Sequence, residues 1–191
     1  DYSAEVGVLS SAGGDALAVL GYLDQGGNQI IQGSLDSGAF DTFVLSDGMI
    51  GDSLTDTFGS DLDNSFGSMP GSLGEGAQMF AKYAEENGVN PSVYVGESYD
   101  AAALIILAMQ AGESTDKSSI ASNIMNVANG PGEKIMAGEL SKGLKLLADG
   151  KSIDYQGATD VSFTDVGEAF GLFIEKGIEN GKFVNVSQRK I

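Results

Sequence analysis

The sequence contains no cysteine and no histidine. Disulfides, thiolate nucleophiles, zinc clusters and Ser-His-Asp or Cys-His machinery are therefore excluded within this chain. Basic residues are scarce: 10 Lys and Arg stand against 27 Asp and Glu, a formal net charge of -17. Nucleic acids and anionic membrane surfaces select basic patches, so neither is an expected partner. Long apolar runs are missing as well. The longest candidate, AAALIILAM over 101–109, is far shorter than the roughly 18 residues a membrane helix needs, and reads as a buried helix. The chain opens on Asp1 without Met and shows no signal-peptide pattern, which reads as a processed mature protein or a fragment that begins mid-fold.

What remains is ample for a packed fold. The chain has 191 residues with 42% apolar content, enough for one ordinary domain or two small lobes. Its 28 glycines point to many tight turns and close backbone approaches. Surface acidity on this scale reads first as a device for solubility.

The pattern along the chain alternates. YSAEVGVLSSAGG (2–14) reads as a short helix stopped by a Gly pair. DALAVLGYL (15–23) is a nearly continuous apolar run, as in a strand covered on both faces. DQGG (24–27) is a turn, NQIIQGSLDSGAF (28–40) a helix, and DTFVLS (41–46) a second strand closed by Asp-Gly-Met. Such alternation is the grammar of an open α/β sheet. A short helix follows over 51–59, then an extended segment, NSFGSMPG (64–71), punctuated by Gly and Pro. Further helices are expected over 75–88, 99–112, 114–129 and 138–150, with PSVYVGES (91–98) as a strand-like link. Near the C-terminus, two apolar runs flank Glu179-Asn180-Gly181, a strong hairpin signal.

Candidate site residues sit at strand ends. In open α/β sheets, ligands lie outside the carboxyl ends of the strands. Asp47 and Gly48 stand at such an end, and Tyr22 to Gln25 stand at the end of the preceding strand. If the two strands are neighbours, both loops face the same place. A carboxylate there can pair a ligand ammonium group, and a glycine lets the backbone approach closely. An ordinary chain-reversing Asp-Gly turn explains the pair equally well. Ser98 and Tyr99 are read as opening a helix, whose N-terminus favours anions, or simply as a cap and a packed ring. GSDLDN (59–64) alternates Asp61 and Asp63 like the start of a calcium loop, but it lacks the required glycine and the later Glu. No cofactor or metal is expected.

The ordered series DALAVLGYLDQGG, FDTFVLSDGM, SFGSMPG, GESYDAAALIILAMQAG, IDYQGATDVSFTDVGEA and ENGKFV resembles the later half of the branched-chain amino acid (Leu/Ile/Val) substrate-binding proteins of bacterial ABC transporters. These are type I periplasmic binding proteins. The resemblance spans essentially the whole chain. It implies a two-lobed α/β fold of parallel sheets flanked by helices, with a ligand held by hinge closure. Residues 1–65 would belong to the second lobe, 66–165 to a crossover and the return to the first lobe, and 166–191 to the final crossover strands and hairpin. The implied partners are an amino acid or related amide, the membrane permease of an ABC transporter, and an N-terminal half of the same protein. The implied location is periplasmic or otherwise extracytoplasmic. Asp47 falls where relatives place an acidic partner for the ligand's α-amino group. Tyr22 and Asp24 fall on the neighbouring cleft-lining loop, and Tyr99 with Glu97 on the other lobe's cleft wall. One stretch departs from the pattern: Thr164 and Glu168 stand where relatives read closer to F-D-x-x-G-D. A ligand-sensing receptor domain of the same fold is the alternative. An α/β enzyme working through carboxylates is a more distant one, disfavoured by the lack of His and Cys.

Overall fold

In the computed structural model, residues 2–90 and 92–190 are described. The chain divides into two compact units. One comprises the chain up to Pro70 together with Phe173–Arg189, and the other comprises Gly71–Leu172.

The first unit opens with helix α1 (Ser3–Ala12), followed by strand β1 (Leu17–Val19), helix α2 (Asn28–Ser37), strand β2 (Phe43–Leu45), helix α3 (Asp52–Phe58) and strand β3 (Phe66–Pro70). The late strands β6 (Leu172–Glu179) and β7 (Lys182–Lys190) complete one five-stranded sheet in the order β1-β2-β3-β6-β7. β1, β2 and β3 run parallel, with Leu17 opposite Phe43 and Leu45 opposite Gly67, whereas β3 and β6 are antiparallel. The two helical connections between parallel strands are what such pairing requires. Alternation decides the core. Leu17, Val19, Phe43 and Leu45 point to one face, where Ile31 of α2 and Leu54 and Phe58 of α3 close over them. α2 ends where Gly38 turns left-handed at φ 65° and its N–H returns to the Leu35 carbonyl. β6 reverses through Asn180 and Gly181, both at positive φ (52° and 69°), the geometry that makes Asn-Gly so favourable in a two-residue hairpin.

The second unit holds α4 (Glu75–Glu86), α5 (Val95–Ala111), α6 (Lys117–Ala128), β4 (Glu133–Met136), α7 (Leu140–Ala148) and β5 (Ile153–Gly157). β4 and β5 pair in parallel. Ile135, Ile153 and Tyr155 are buried against Leu104, Leu107 and Val127 of α5 and α6. In α5, Ala103, Leu104, Leu107 and Ala108 recur at helical spacing and bury one stripe.

The structure revises three local expectations. The strand expected over 15–23 is ordered only at 17–19, because the residues after Val19 leave the sheet for the turn at Leu23–Gly27. Residues 95–98, expected to belong to an extended link, form the first turn of α5, so Ser98 lies inside the helix and does not cap it. β4 and β5 were not anticipated as strands. EKIM and IDYQG are short, and only alternate residues in β5 are buried, so neither shows the continuous apolar run that marked β1.

Candidate functional site

At the carboxyl end of β2 the chain enters a single tight turn, Asp47–Met49. It closes through the Met49 N–H to the Ser46 carbonyl at 2.9 Å and the Ile50 N–H to the Asp47 carbonyl at 3.0 Å. The Gly48 N–H donates to Asp47 Oδ1 at 2.8 Å, which fixes the carboxylate against its own turn. Next to it lies the turn after β1, where the N–H groups of Gln25 and Gly27 both reach the Tyr22 carbonyl, at 3.2 and 3.1 Å.

Ser46 ties the two turns together. Its hydroxyl accepts from the Gly21 N–H at 3.2 Å and donates to the Gly21 carbonyl at 3.1 Å. The Ser46 N–H in turn donates to the Val19 carbonyl at 3.2 Å, so the ladder between β1 and β2 continues into the turns. Gly48 lies directly beneath Tyr22. A β-carbon at position 48 would come within 2.7 Å of the Tyr22 ring and 2.5 Å of the Gly21 carbonyl oxygen, so the close approach demands glycine. The β1–β2 pairing thus brings Tyr22, Asp47 and Gly48 together at one end of the sheet. Tyr22 as a whole is 53% exposed despite this contact, and Asp47 and Gly48 are half-buried. Asp24 is exposed on the same turn as Tyr22. A carboxylate beside an open aromatic face can receive a cationic group and an adjoining apolar one. Ser46 was not singled out from the sequence; a serine after an apolar run gives no sign of the cross-strand tie it makes.

Glu97 and Tyr99 belong to the second unit. Glu97 is half-buried in the first turn of α5, where a carboxylate complements the helix dipole. Tyr99 packs its ring 5.3 Å from Phe80 and 6.0 Å from Tyr83, centroid to centroid. Its hydroxyl oxygen accepts the Gly138 N–H at 2.8 Å. Burial lifts the phenol above its ordinary pKa, and the Gly138 N–H partly offsets that. The hydroxyl therefore stays protonated and keeps a proton to donate.

The neighbouring Asp100 is the most buried charged residue of the unit, at 2% exposure. Its Oδ1 accepts from the Tyr155 hydroxyl and the Ala158 N–H, each at 2.8 Å. Its Oδ2 accepts from the Thr159 N–H at 2.8 Å and the Thr159 hydroxyl at 2.7 Å. Burial pushes the carboxyl above the usual range while these four donors pull it back. Every lone-pair direction is used within the protein, so Asp100 pins the end of β5 to α5. Asp160, the residue after Thr159, accepts from the Ser72 hydroxyl, which itself receives the Gly74 N–H at 2.9 Å. Among the described residues, no group of three or more Asp or Glu is placed to hold a metal ion. None of their helices is long and apolar enough to cross a membrane.

No protein-family model matches the sequence, and no curated protein matches it. Solved structures do resemble it. A leucine-binding protein, LivK, from Thermotoga maritima superposes over 98% of this chain and 48% of its own length, with a TM-score of 0.71 at 19% identity. The branched-chain amino acid transporter substrate-binding protein LivJ from Streptococcus pneumoniae, solved with isoleucine, covers all of this chain and 48% of its own, with a TM-score of 0.67 at 17% identity. A branched-chain amino acid ABC transporter protein from Thermus thermophilus with bound valine gives a TM-score of 0.66 at 14% identity, over all of this chain and 49% of its own. The chain spans about half the length of these structures. Its fold is accordingly that of about half a type I periplasmic binding protein.

Proposed function

We propose that the chain is part of an extracytoplasmic solute-binding protein, periplasmic or lipid-tethered, that captures an amino acid or similar small polar solute for the permease of an ABC transporter. It binds and releases without chemistry or cofactor. The observation that carries this reading is the pairing of two turns at the carboxyl ends of neighbouring parallel strands, with Asp47 and the open Tyr22 ring on them. The resemblance to amino-acid-binding folds, two of them holding isoleucine or valine, supports it.

In this reading Asp47 meets the ligand's ammonium group. Gly48 opens the backbone, and Tyr22 offers an apolar wall with Asp24 at its rim. Glu97 and Tyr99 are proposed as ligand contacts on the strength of the resemblance. The ligand carboxylate needs N–H or hydroxyl donors, and these would come from the remainder of a longer protein.

The test is a thermal-shift screen of the protein that carries this chain against amino acids, short amides and small carboxylates, followed by calorimetry on each hit. An amino acid hit is expected. Asp47→Ala should then weaken it at least tenfold, about 1.4 kcal/mol or more. An unchanged dissociation constant would remove Asp47 from the site, and measurable turnover of the ligand would overturn the binding-protein reading.

A further inference from the structure

The charge around the turns after β1 and β2 is of one sign. Up to Pro70 the chain carries eleven Asp and Glu and no Lys or Arg. The bases of the first unit are Lys176, Lys182 and Arg189, all on the β6–β7 hairpin. β3 stands between that hairpin and the strands β1 and β2. Two of the three bases are also engaged where they stand. Lys176 donates to Asn185 Oδ1 at 2.5 Å, and Arg189 lies 3.9 Å from Glu175. Asp24 and Asp47 are thus held on neighbouring turns with no base on either turn, on β1 to β3, or on α1 to α3. Among the described residues, Asp24 takes part in no ion pair.

An α-ammonium group needs one carboxylate, and Asp47 fills that role in the proposed function. Asp24 is then surplus. Closing a site over a leucine or valine side chain would shut Asp24 in beside hydrocarbon, which is costly for a carboxylate without a counter-charge. The exposed Tyr22 ring stands two residues before it, and an aromatic face next to a carboxylate favours a cation. A surface of one sign also concentrates ions of the other. We propose that the ligand is an amino acid whose side chain carries a second cation. That ammonium or guanidinium group is received by Asp24 and the Tyr22 ring, while Asp47 takes the α-ammonium. The inference rests on the proposed amino-acid site and adds the ligand's net charge to it. In charge, such a ligand differs from the isoleucine and valine held by two structures of like fold.

Lysine against norleucine provides the assay, because norleucine is lysine without its terminal ammonium. Arginine is run alongside. In calorimetry on the protein that carries this chain, the better of lysine and arginine should bind about tenfold or more tighter than norleucine, the size of one charge-assisted hydrogen bond. Raising the ionic strength from about 0.05 to about 0.5 M should narrow that preference. Asp24→Asn should shrink it about fivefold or more, and Asp24→Glu, which keeps the charge, should retain most of it. Asp24 is exposed, so neither change disturbs a packed core, and a melting curve on each variant checks the fold. Norleucine or leucine binding as tightly as lysine and arginine overturns this inference and leaves the amino-acid site standing. A preference that Asp24→Asn leaves intact also overturns it, since the second cation then lies elsewhere. Binding of no amino acid at all overturns the proposed function, and this inference with it.

Discussion

Removing the Asp100 carboxylate should cost the second unit much of its stability. Asp100→Ala strands four donors at the end of β5, from Tyr155, Ala158 and Thr159, at a site only 2% exposed. A buried donor deprived of its acceptor costs about 1 kcal/mol or more, so the loss should be about 4 kcal/mol. Asp100→Asn keeps one oxygen but turns an amide N–H toward the Thr159 N–H, and should lose about 2 kcal/mol. Equilibrium urea unfolding reads both. At an m-value of about 2 kcal/mol/M, the alanine variant's midpoint should fall by about 2 M. The sign of the pH dependence follows from burial. The folded carboxyl titrates above its ordinary value of 3.8, so between 3.8 and the raised value the folded state holds a proton that the unfolded state has released. That contribution is full below pH 3.8 and is lost as pH rises through the folded value. The stability gap between wild type and Asp100→Asn should therefore narrow as pH rises through this window. A loss below about 1 kcal/mol for Asp100→Ala would refute the clamp, and a gap that widens with pH would refute the upward shift that burial imposes on the carboxyl.

Two glycines offer further tests. Gly48→Ala should drive the Tyr22 ring off its seat, lowering ligand affinity in calorimetry more than it lowers the melting temperature, because the strain is confined to the two turns. Gly181→Ala places a side chain at φ 69° and within 2.9 Å of the Gly59 backbone, and should cost about 1–2 kcal/mol in urea unfolding with affinity unchanged.

Legibility in the sequence followed the range of the interactions. The Asn180-Gly181 hairpin was readable because two adjacent residues meet its whole requirement of positive φ. β1 and β2 were readable as apolar runs, and their helical connections as breaks in those runs. The start of α5 was misplaced because Pro91, Gly96 and two valines mimic an extended link, whereas the structure begins the helix at Val95 behind a left-handed Tyr94. Asp100 looked like one polar position in an Ala- and Leu-rich helix. Its partners lie 55 to 59 residues downstream, and no local pattern announces them.

By itself, then, the order of residues determined the chemistry this chain can carry and the alternation of its elements. The lack of Cys and His removed whole reaction classes, and the apolar periodicities, local by nature, set an α/β fold. Only the tertiary structure decided that β1 and β2 are neighbours, that Ser46 laces their turns together, and that Tyr22 lies on Gly48. These are contacts between residues far apart in the chain, fixed by strand register, and register is a property of the assembled sheet rather than of any one segment.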